Sequence, residues 1–209
     1  MTLVANIQAV FYQATASEIE YGIAWYSIAN KTAERLAKAY GVPFLTVCGV
    51  IAALSPNARW EQNIQSAEKM LTAFNLGNGI DSFTVTTYSQ NKKKAWEILS
   101  SGEGKDGIIR LLNGVIKLPR LNKTANFFLN IAFPESNDYV TIDGHAKNIT
   151  LGIRQTLANN ATVSPKEYPL LVEAYRQATE AINRAEGTNY RAHEIQAITW
   201  VCWRRLHKI

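Results

Sequence analysis

Two side chains of this 209-residue chain have the types and positions needed for chemistry at an electrophilic carbon. Lys123 is placed in the first turn of a predicted helix, where the positive end of the helix dipole disfavours the ammonium form. Partial burial acts in the same direction and makes a neutral amine available for Schiff-base formation. Asp143 opens the next predicted helix, where backbone N–H groups favour a carboxylate that can stabilise a developing cation or activate a nucleophile.

Each of these residues also has an ordinary structural interpretation. A lysine at a helix start is usually solvated, and aspartate is a favoured N-cap for structural reasons alone. The contexts Lys-Thr-Ala-Asn and Asp-Gly-His make a catalytic pair the better interpretation if the two helix starts converge on one cleft. His145 either orients Asp143 or contacts a ligand, or it packs on its own helix.

Helical signals dominate the elements that must position these residues, and they predict an all-α fold. Ser17 and Glu20 have the spacing of a capping box at the start of a long helix that ends near Gly41. Pro165 occupies the first turn of another long helix. The predicted helices are 17–37, 43–54, 60–74, 88–99, 105–112, 123–133, 143–153, 164–185 and 189–206.

Two further patterns predict a loop in the middle of the chain and a core-facing last helix. The segment Asn75 to Thr87 is rich in Gly, Asn and Thr, which predicts a loop and a candidate junction between two lobes, with a weak hint of a strand from Phe83. In the last helix Ile195, Ile198 and Cys202 recur at core spacing. We therefore expect the flanking tryptophans, Trp200 and Trp203, to pack in the core rather than to stack on a base.

Composition limits the class of protein. The chain is 47% apolar and 19% charged, which is typical of a folded globular protein. No apolar run approaches the roughly 20 residues that span a bilayer, and the N-terminus lacks a basic leader, so we expect a cytoplasmic protein that is not bound to a membrane. Cys48 and Cys202 are expected to be buried free thiols, and no metal or cofactor site is predicted.

The charge indicates a polyanionic partner. The net charge is +5 and the isoelectric point is near 9.2. Basic residues cluster at 92–94, at Lys117, Arg120 and Lys123, and at 204–208. The first cluster is either an ordinary solvated face or a phosphate contact.

The segments Leu118-Pro-Arg-Leu-Asn-Lys-Thr-Ala and Val140-Thr-Ile-Asp-Gly-His resemble the helix-hairpin-helix DNA glycosylase superfamily of endonuclease III and adenine glycosylase. The family pattern is Leu-Pro-Gly-x-Gly-x-Lys-Thr-Ala, followed by Val-Asp-Thr-His. The resemblance covers residues 45–155 of a single unit, 1–209, with interleaved lobes. It implies a two-lobed helical fold with a central cleft, and a monomer that binds DNA.

The same resemblance assigns roles to particular residues. Lys123 matches the catalytic lysine of the bifunctional members, Asp143 the catalytic aspartate, and His145 the histidine that follows it. Asn57 matches the position that supplies a side chain to the DNA stack, with Trp60 and Asn63 close behind it. These polar and aromatic residues either wedge into a duplex and line a base pocket, or form a capped helix junction. The further DNA-binding residues are Lys117, Arg120, Asn122 and Asn126.

Three departures from the pattern mark a divergent member. Arg120-Leu-Asn122 replaces the hairpin Gly-x-Gly, although Asn122 can adopt the left-handed conformation that glycine takes there. Phosphate contact then depends more on Arg120 and Lys117 than on backbone N–H groups. The cysteine cluster of the iron–sulfur members is missing, and Gly144 follows Asp143 in place of threonine.

Three functions are compatible with these residues. The first is a DNA glycosylase acting on a flipped, modified or damaged base, with lyase activity if Lys123 is the nucleophile. The second is a phage-type enzyme on the same fold that elaborates a modified thymine instead of excising it. The third is a DNA-binding protein without catalysis.

Overall fold

The computed structural model describes residues 2–114, 119–156 and 162–208, in which helices are joined by loops. They form ten α-helices and a 3-10 turn at Ile80–Ser82, and they contain no strand, so the weak strand signal at Phe83 was wrong while the all-α prediction is confirmed. The helices are α1 (Leu3–Phe11), α2 (Ala16–Tyr40), α3 (Phe44–Leu54), α4 (Trp60–Asn75), α5 (Ser89–Ser101), α6 (Lys105–Asn113), α7 (Lys123–Ala132), α8 (Gly144–Leu151), α9 (Tyr168–Glu186) and α10 (Ala192–His207).

The start of α2 differs from the expected capping box. The Thr15 N–H donates to Glu18 Oε2 at 2.8 Å, and the Glu18 N–H donates to Thr15 Oγ1 at 3.3 Å. This reciprocal pair closes the first turn two residues earlier than Ser17 and Glu20 would. The register is set by Arg205, which donates from Nε to Glu18 Oε1 at 2.7 Å and so holds that glutamate at the helix start.

The chain divides into two compact units. The first consists of Met1–Ser27 and Glu135–Ile209, and the second is Ile28–Pro134. The boundaries therefore fall within α2 and after α7. The loop at 75–87, expected as a junction between lobes, lies inside the second unit.

The first unit packs α1, α8, α9 and α10 around one apolar core. Ile7, Val10 and Phe11 bring α1 into this core, although α1 was not predicted from the sequence. Gly22 of α2 lies so close to α10 that a Cβ atom there would be 2.7 Å from the backbone of Ile198. Glycine is therefore required at this helix crossing.

The second unit is built around α3, whose residues from Thr46 to Leu54 are all buried. Helices α4, α5, α6 and α7 pack against α3. At Gly49 a Cβ atom would approach side-chain atoms of Ile98 and Ile108 to 3.0 and 2.8 Å, so α5 and α6 use this position to reach the α3 backbone. Cys48 and Cys202, one in each unit, are buried free thiols as predicted.

Candidate functional site

Asp143 of the first unit is held by contacts on both carboxylate oxygens. It is the N-cap of α8, and its Oδ1 accepts a hydrogen bond from the Ala146 N–H at 2.8 Å. Its Oδ2 accepts a second hydrogen bond from Trp200 Nε1 of α10 at 3.1 Å. The side chain is half-buried, so the carboxylate is fixed in orientation while part of it stays accessible.

The segment that leads to Asp143 is fixed by one tyrosine of α9. The hydroxyl of Tyr168 donates to the Val140 carbonyl oxygen at 3.0 Å and accepts from the Ile142 N–H at 2.9 Å. These two bonds satisfy a backbone carbonyl and a backbone N–H on either side of Thr141, in a segment outside the helices. The chain therefore enters α8 along a defined path, and this path sets the position of Asp143.

Two buried tyrosines experience the charge of Asp143. Burial raises the pKa of Tyr26 and of Tyr175, and the nearby Asp143 carboxylate raises both further. Both phenols are neutral at physiological pH; the Tyr26 hydroxyl donates to Gln196 Oε1 at 3.0 Å. No ion pair among the described residues includes Asp143. An ionised Asp143 in such surroundings attracts a cation that develops beside it.

Trp200 was missed as a site residue. The sequence pattern predicted that Trp200 and Trp203 both pack in the core, but of these two only Trp203 is buried. Trp200 is half-buried, and besides donating to Asp143 it lies under the guanidinium of Arg204, 4.7 Å from the ring centroid. No signal in the sequence links residues 143 and 200, because their contact depends on how α8 and α10 pack.

His145 lies in the first turn of α8 beside the same indole. Its ring meets Trp200 edge-on, with ring centroids 6.5 Å apart. The Nδ1 atom of His145 is buried and has no hydrogen-bond partner among the described residues. The side chain therefore packs on Trp200, and it keeps one ring nitrogen uncommitted to the protein's own hydrogen bonds.

Lys123 of the second unit is the first residue of α7, at the helix start that the sequence predicted. Its side chain is half-exposed. Asn122 is the N-cap of this helix and accepts from the Ala125 N–H at 2.9 Å. Its φ of −83° is extended rather than left-handed, so the expected glycine-like conformation is wrong. An Asx cap replaces the glycine turn because the amide side chain satisfies the helix start.

Asn122 also connects α7 to the end of α6. Its Nδ2 donates to the Leu112 carbonyl oxygen at 2.8 Å, and its N–H donates to Asn113 Oδ1 at 3.0 Å. The Asn113 Nδ2 in turn donates to the Arg120 carbonyl oxygen at 2.9 Å. The backbone N–H of residue 122 is thus used within the protein, whereas the Arg120 side chain is exposed. Lys117 lies outside the described residues.

Two of the predicted DNA-binding asparagines are buried. Asn126 donates from Nδ2 to the Asn122 carbonyl oxygen at 3.0 Å, and Asn63 donates from Nδ2 to the Ile51 carbonyl oxygen at 3.1 Å. Both side chains therefore stabilise local structure. The Oδ1 atom of Asn63 is buried and has no partner among the described residues.

Asn57 is exposed at the tip of the turn between α3 and α4, with a φ of +60°. The Ala58 N–H donates to the Ser55 carbonyl oxygen at 3.3 Å, and Thr87 Oγ1 donates to the Pro56 carbonyl oxygen at 2.6 Å. Asparagine tolerates the left-handed conformation better than most residues. The turn projects Asn57 into solvent ahead of the half-buried Trp60.

The lysine cluster at 92–94 is mostly directed inward. Lys92 Nζ donates to the Phe83 carbonyl oxygen, and Lys94 Nζ donates to the Leu112 carbonyl oxygen at 3.3 Å. Burial lowers the pKa of Lys94. Lys93 alone of the three is exposed, which leaves little charge here for a phosphate.

Comparison with known proteins identifies a family but no activity. The chain belongs to a family of unknown function, DUF7178, whose model matches residues 1–207. No curated protein and no solved structure matches the chain.

The described part of the chain lacks two kinds of feature. No set of three or more His, Cys, Asp or Glu side chains is grouped as a metal site requires. No single helix is long and apolar enough to cross a membrane, although α2 and α3 pass that test together as a sharply bent pair, by length and composition alone.

Proposed function

We propose that this protein excises a base from DNA after the nucleotide has rotated out of the duplex stack. The observation that carries the proposal is the carboxylate of Asp143, oriented by the Ala146 N–H and the Trp200 indole and left without a cationic partner in the described residues. A second support is the resemblance of the segments around Lys123 and Asp143 to the helix-hairpin-helix glycosylases.

Asp143 acts on the cation that forms during base loss. As the bond from the sugar C1′ to the base nitrogen breaks, its electron pair leaves with the base and positive charge develops on the sugar. The fixed Asp143 carboxylate stabilises this charge with little reorganisation, because its two hydrogen bonds already hold it in place. Water then adds to C1′, and its proton passes to the carboxylate or to solvent.

Lys123 extends the proposal to strand cleavage. If its neutral amine adds to C1′ in place of water, the nitrogen loses a proton and the C1′–O4′ bond opens to give a Schiff base. Loss of a C2′ proton then expels the 3′ phosphate, which breaks the strand. Asn57 has the exposure that a side chain needs to enter the stack when a nucleotide leaves it.

The test is base release combined with borohydride trapping on duplexes carrying uracil, hydroxymethyluracil or oxidised bases. We expect Asp143→Asn to abolish base release and Lys123→Ala to abolish the trapped adduct. Matched controls are Asp106→Asn and Lys105→Ala, in the first turn of α6, which should retain both signals. Equal activity in all four variants would refute the proposed roles of Asp143 and Lys123. DNA binding without base release, in the unmodified protein as in the variants, would favour a non-catalytic DNA-binding protein.

A second candidate is group transfer onto a modified thymine in DNA, and one observation favours it. The first unit contains a cavity of about 730 Å³ that includes Arg176, Glu180, Arg191 and Glu194. This volume is in the range of small-molecule sites. Arg191 and Glu194 form an ion pair with each other, whereas Arg176 and Glu180 form none among the described residues and suit the carboxylate and the ammonium group of an amino acid. Incorporation of a labelled amine into hydroxymethyluracil DNA without base release would support this candidate over excision.

A further inference from the structure

The C-terminal end of α10 and the segment after α8 form a basic surface in the first unit. We define the C-terminal basic surface by Arg154, Arg204, His207 and Lys208. Arg154 and Lys208 are exposed, and neither forms an ion pair with a carboxylate of the described residues. Arg205, on the same turn of α10, is paired with Glu18 and is excluded from this set.

Contacts connect these residues to one another. Arg154 donates from Nη2 to the His207 carbonyl oxygen at 3.4 Å, although the two residues are far apart in sequence. The His207 ring packs against Trp203 with ring centroids 3.9 Å apart. The exposed cation at residue 154 is therefore held beside the last turn of α10, where Lys208 follows directly.

The same surface is continuous with the surroundings of Asp143. Arg204 lies over the Trp200 ring, and the edge of that indole donates to Asp143. His145 reaches Trp200 from the α8 side. A ligand that contacts Arg204 thus lies one indole ring away from the carboxylate.

His207 lies within the electrostatic influence of Arg154. Burial lowers the pKa of His207, and the positive charges of Arg154 and His145 lower it further. Arg154 and Lys208 are exposed cations without an ion pair in the described part of the chain, and such cations are favourable for a polyanion, because its phosphates neutralise them and release counterions.

We infer that the C-terminal basic surface binds the phosphodiester backbone of DNA and holds the strand beside Asp143. The identity of the polymer rests on the proposed function, whereas the location of the contact rests on the cations described above. Each neutralised phosphate of B-DNA contributes about 0.9 to the slope of log affinity against log salt concentration. Loss of two contacts should therefore reduce that slope by about 1.8.

The test measures binding of a fluorescent, undamaged DNA duplex at several salt concentrations. The variant Arg154→Gln/Lys208→Gln removes two exposed cations of the surface. The matched control Lys166→Gln/Arg184→Gln removes two exposed cations elsewhere in the first unit. We expect the first variant to bind about tenfold more weakly at 0.1 M salt, with the reduced slope, and the control to bind like the unmodified protein.

The outcomes separate this inference from the proposed function. If both double variants lost DNA affinity equally, or if neither lost any, the C-terminal basic surface would not be the DNA contact. Tighter binding to an RNA duplex or to anionic vesicles than to DNA would overturn the choice of partner. A selective loss of DNA binding by Arg154→Gln/Lys208→Gln would support the inference even if base release were absent, in which case the proposed function alone fails.

Discussion

The indole of Trp200 donates a hydrogen bond from Nε1 to Oδ2 of Asp143 at 3.1 Å, across a separation of 57 residues. The opposite oxygen of the same carboxylate accepts from the first turn of α8. The aspartate is therefore both a helix cap and a side chain oriented by a second helix. Its structural and chemical roles are separable by substitution.

Replacing Trp200 with phenylalanine removes the N–H donor and keeps an aromatic ring. A hydrogen bond to a charged group is worth about 1.5–3 kcal/mol, so we expect base release to fall about 10- to 100-fold. Single-turnover kinetics would measure this, with Trp203→Phe, one turn further along α10, as the control. Equal losses in both variants would mean that packing, not the hydrogen bond, matters.

Asp143→Asn and Asp143→Ala separate capping from charge. Asparagine is as good an N-cap as aspartate, but its single acceptor oxygen can serve only one of the two donors, Ala146 N–H or Trp200 Nε1. We therefore expect Asp143→Asn to keep the cap, to lose base release and to melt between the unmodified protein and Asp143→Ala. Alanine removes both functions, and we expect an additional loss of about 1 kcal/mol in the free energy of unfolding. Thermal melts and base-release assays on both variants would check this. An Asp143→Asn variant as unstable as Asp143→Ala would contradict the retained cap.

Introducing the glycine of the glycosylase hairpin at position 122 should destabilise the protein. Asn122 has a negative φ, so glycine relieves no strain there. The substitution removes the hydrogen bonds to Ala125 and Leu112. We expect Asn122→Gly to reduce the free energy of unfolding by about 1–2 kcal/mol in urea denaturation. An increase would contradict the extended conformation of this residue.

The same substitution at position 57, Asn57→Gly, should not lower the free energy of unfolding. Asn57 has a φ of +60°, which glycine adopts without strain. We expect Asn57→Gly to retain or raise stability and Asn57→Ala to lower it by about 1 kcal/mol. If the side chain enters the DNA stack, both variants should lose base release to the same extent. Full activity in Asn57→Gly would remove this residue from the proposed mechanism.

Glu18, the glutamate that caps α2, should make the stability of the fold depend on pH in the acid range. The hydrogen bonds from Arg205 hold the pKa of Glu18 below its ordinary value near 4.5, although burial opposes this effect. A lowered pKa in the folded state contributes stability above pH 4.5 that is lost as the pH falls through the folded-state value. We therefore expect Glu18→Gln to melt at a lower temperature at neutral pH and to lose less stability between about pH 5 and pH 3. Parallel slopes would contradict the pairing.

Local signals predicted most of the helices. The apolar run at 43–54 has the composition of a buried helix, and α3 is the centre of the second unit. The amphipathic pattern at 60–74 matches α4 to within one residue. Both succeed because the hydrophobic period and the caps are encoded within a few residues of each other.

Features that depend on distant partners were missed or misplaced. Helix α1 is short, and its three buried residues become part of a core only when α8, α9 and α10 pack against them. The local sequence therefore does not indicate this helix. The cap of α2 is displaced because Arg205 holds Glu18. The role of Trp200 was also missed, because its contact with Asp143 joins residues that are distant in the sequence. The convergence of Lys123 and Asp143 stays a prediction.

The division of the first unit into two sequence segments has a kinetic consequence. The Cys202 thiol donates to the Val10 carbonyl oxygen across 192 residues, whereas the second unit is continuous from Ile28 to Pro134. Closing such long loops is slow compared with forming local contacts. We expect the second unit to acquire its structure first during refolding, and the alignment of the carboxylate at residue 143 to be among the last events before activity returns.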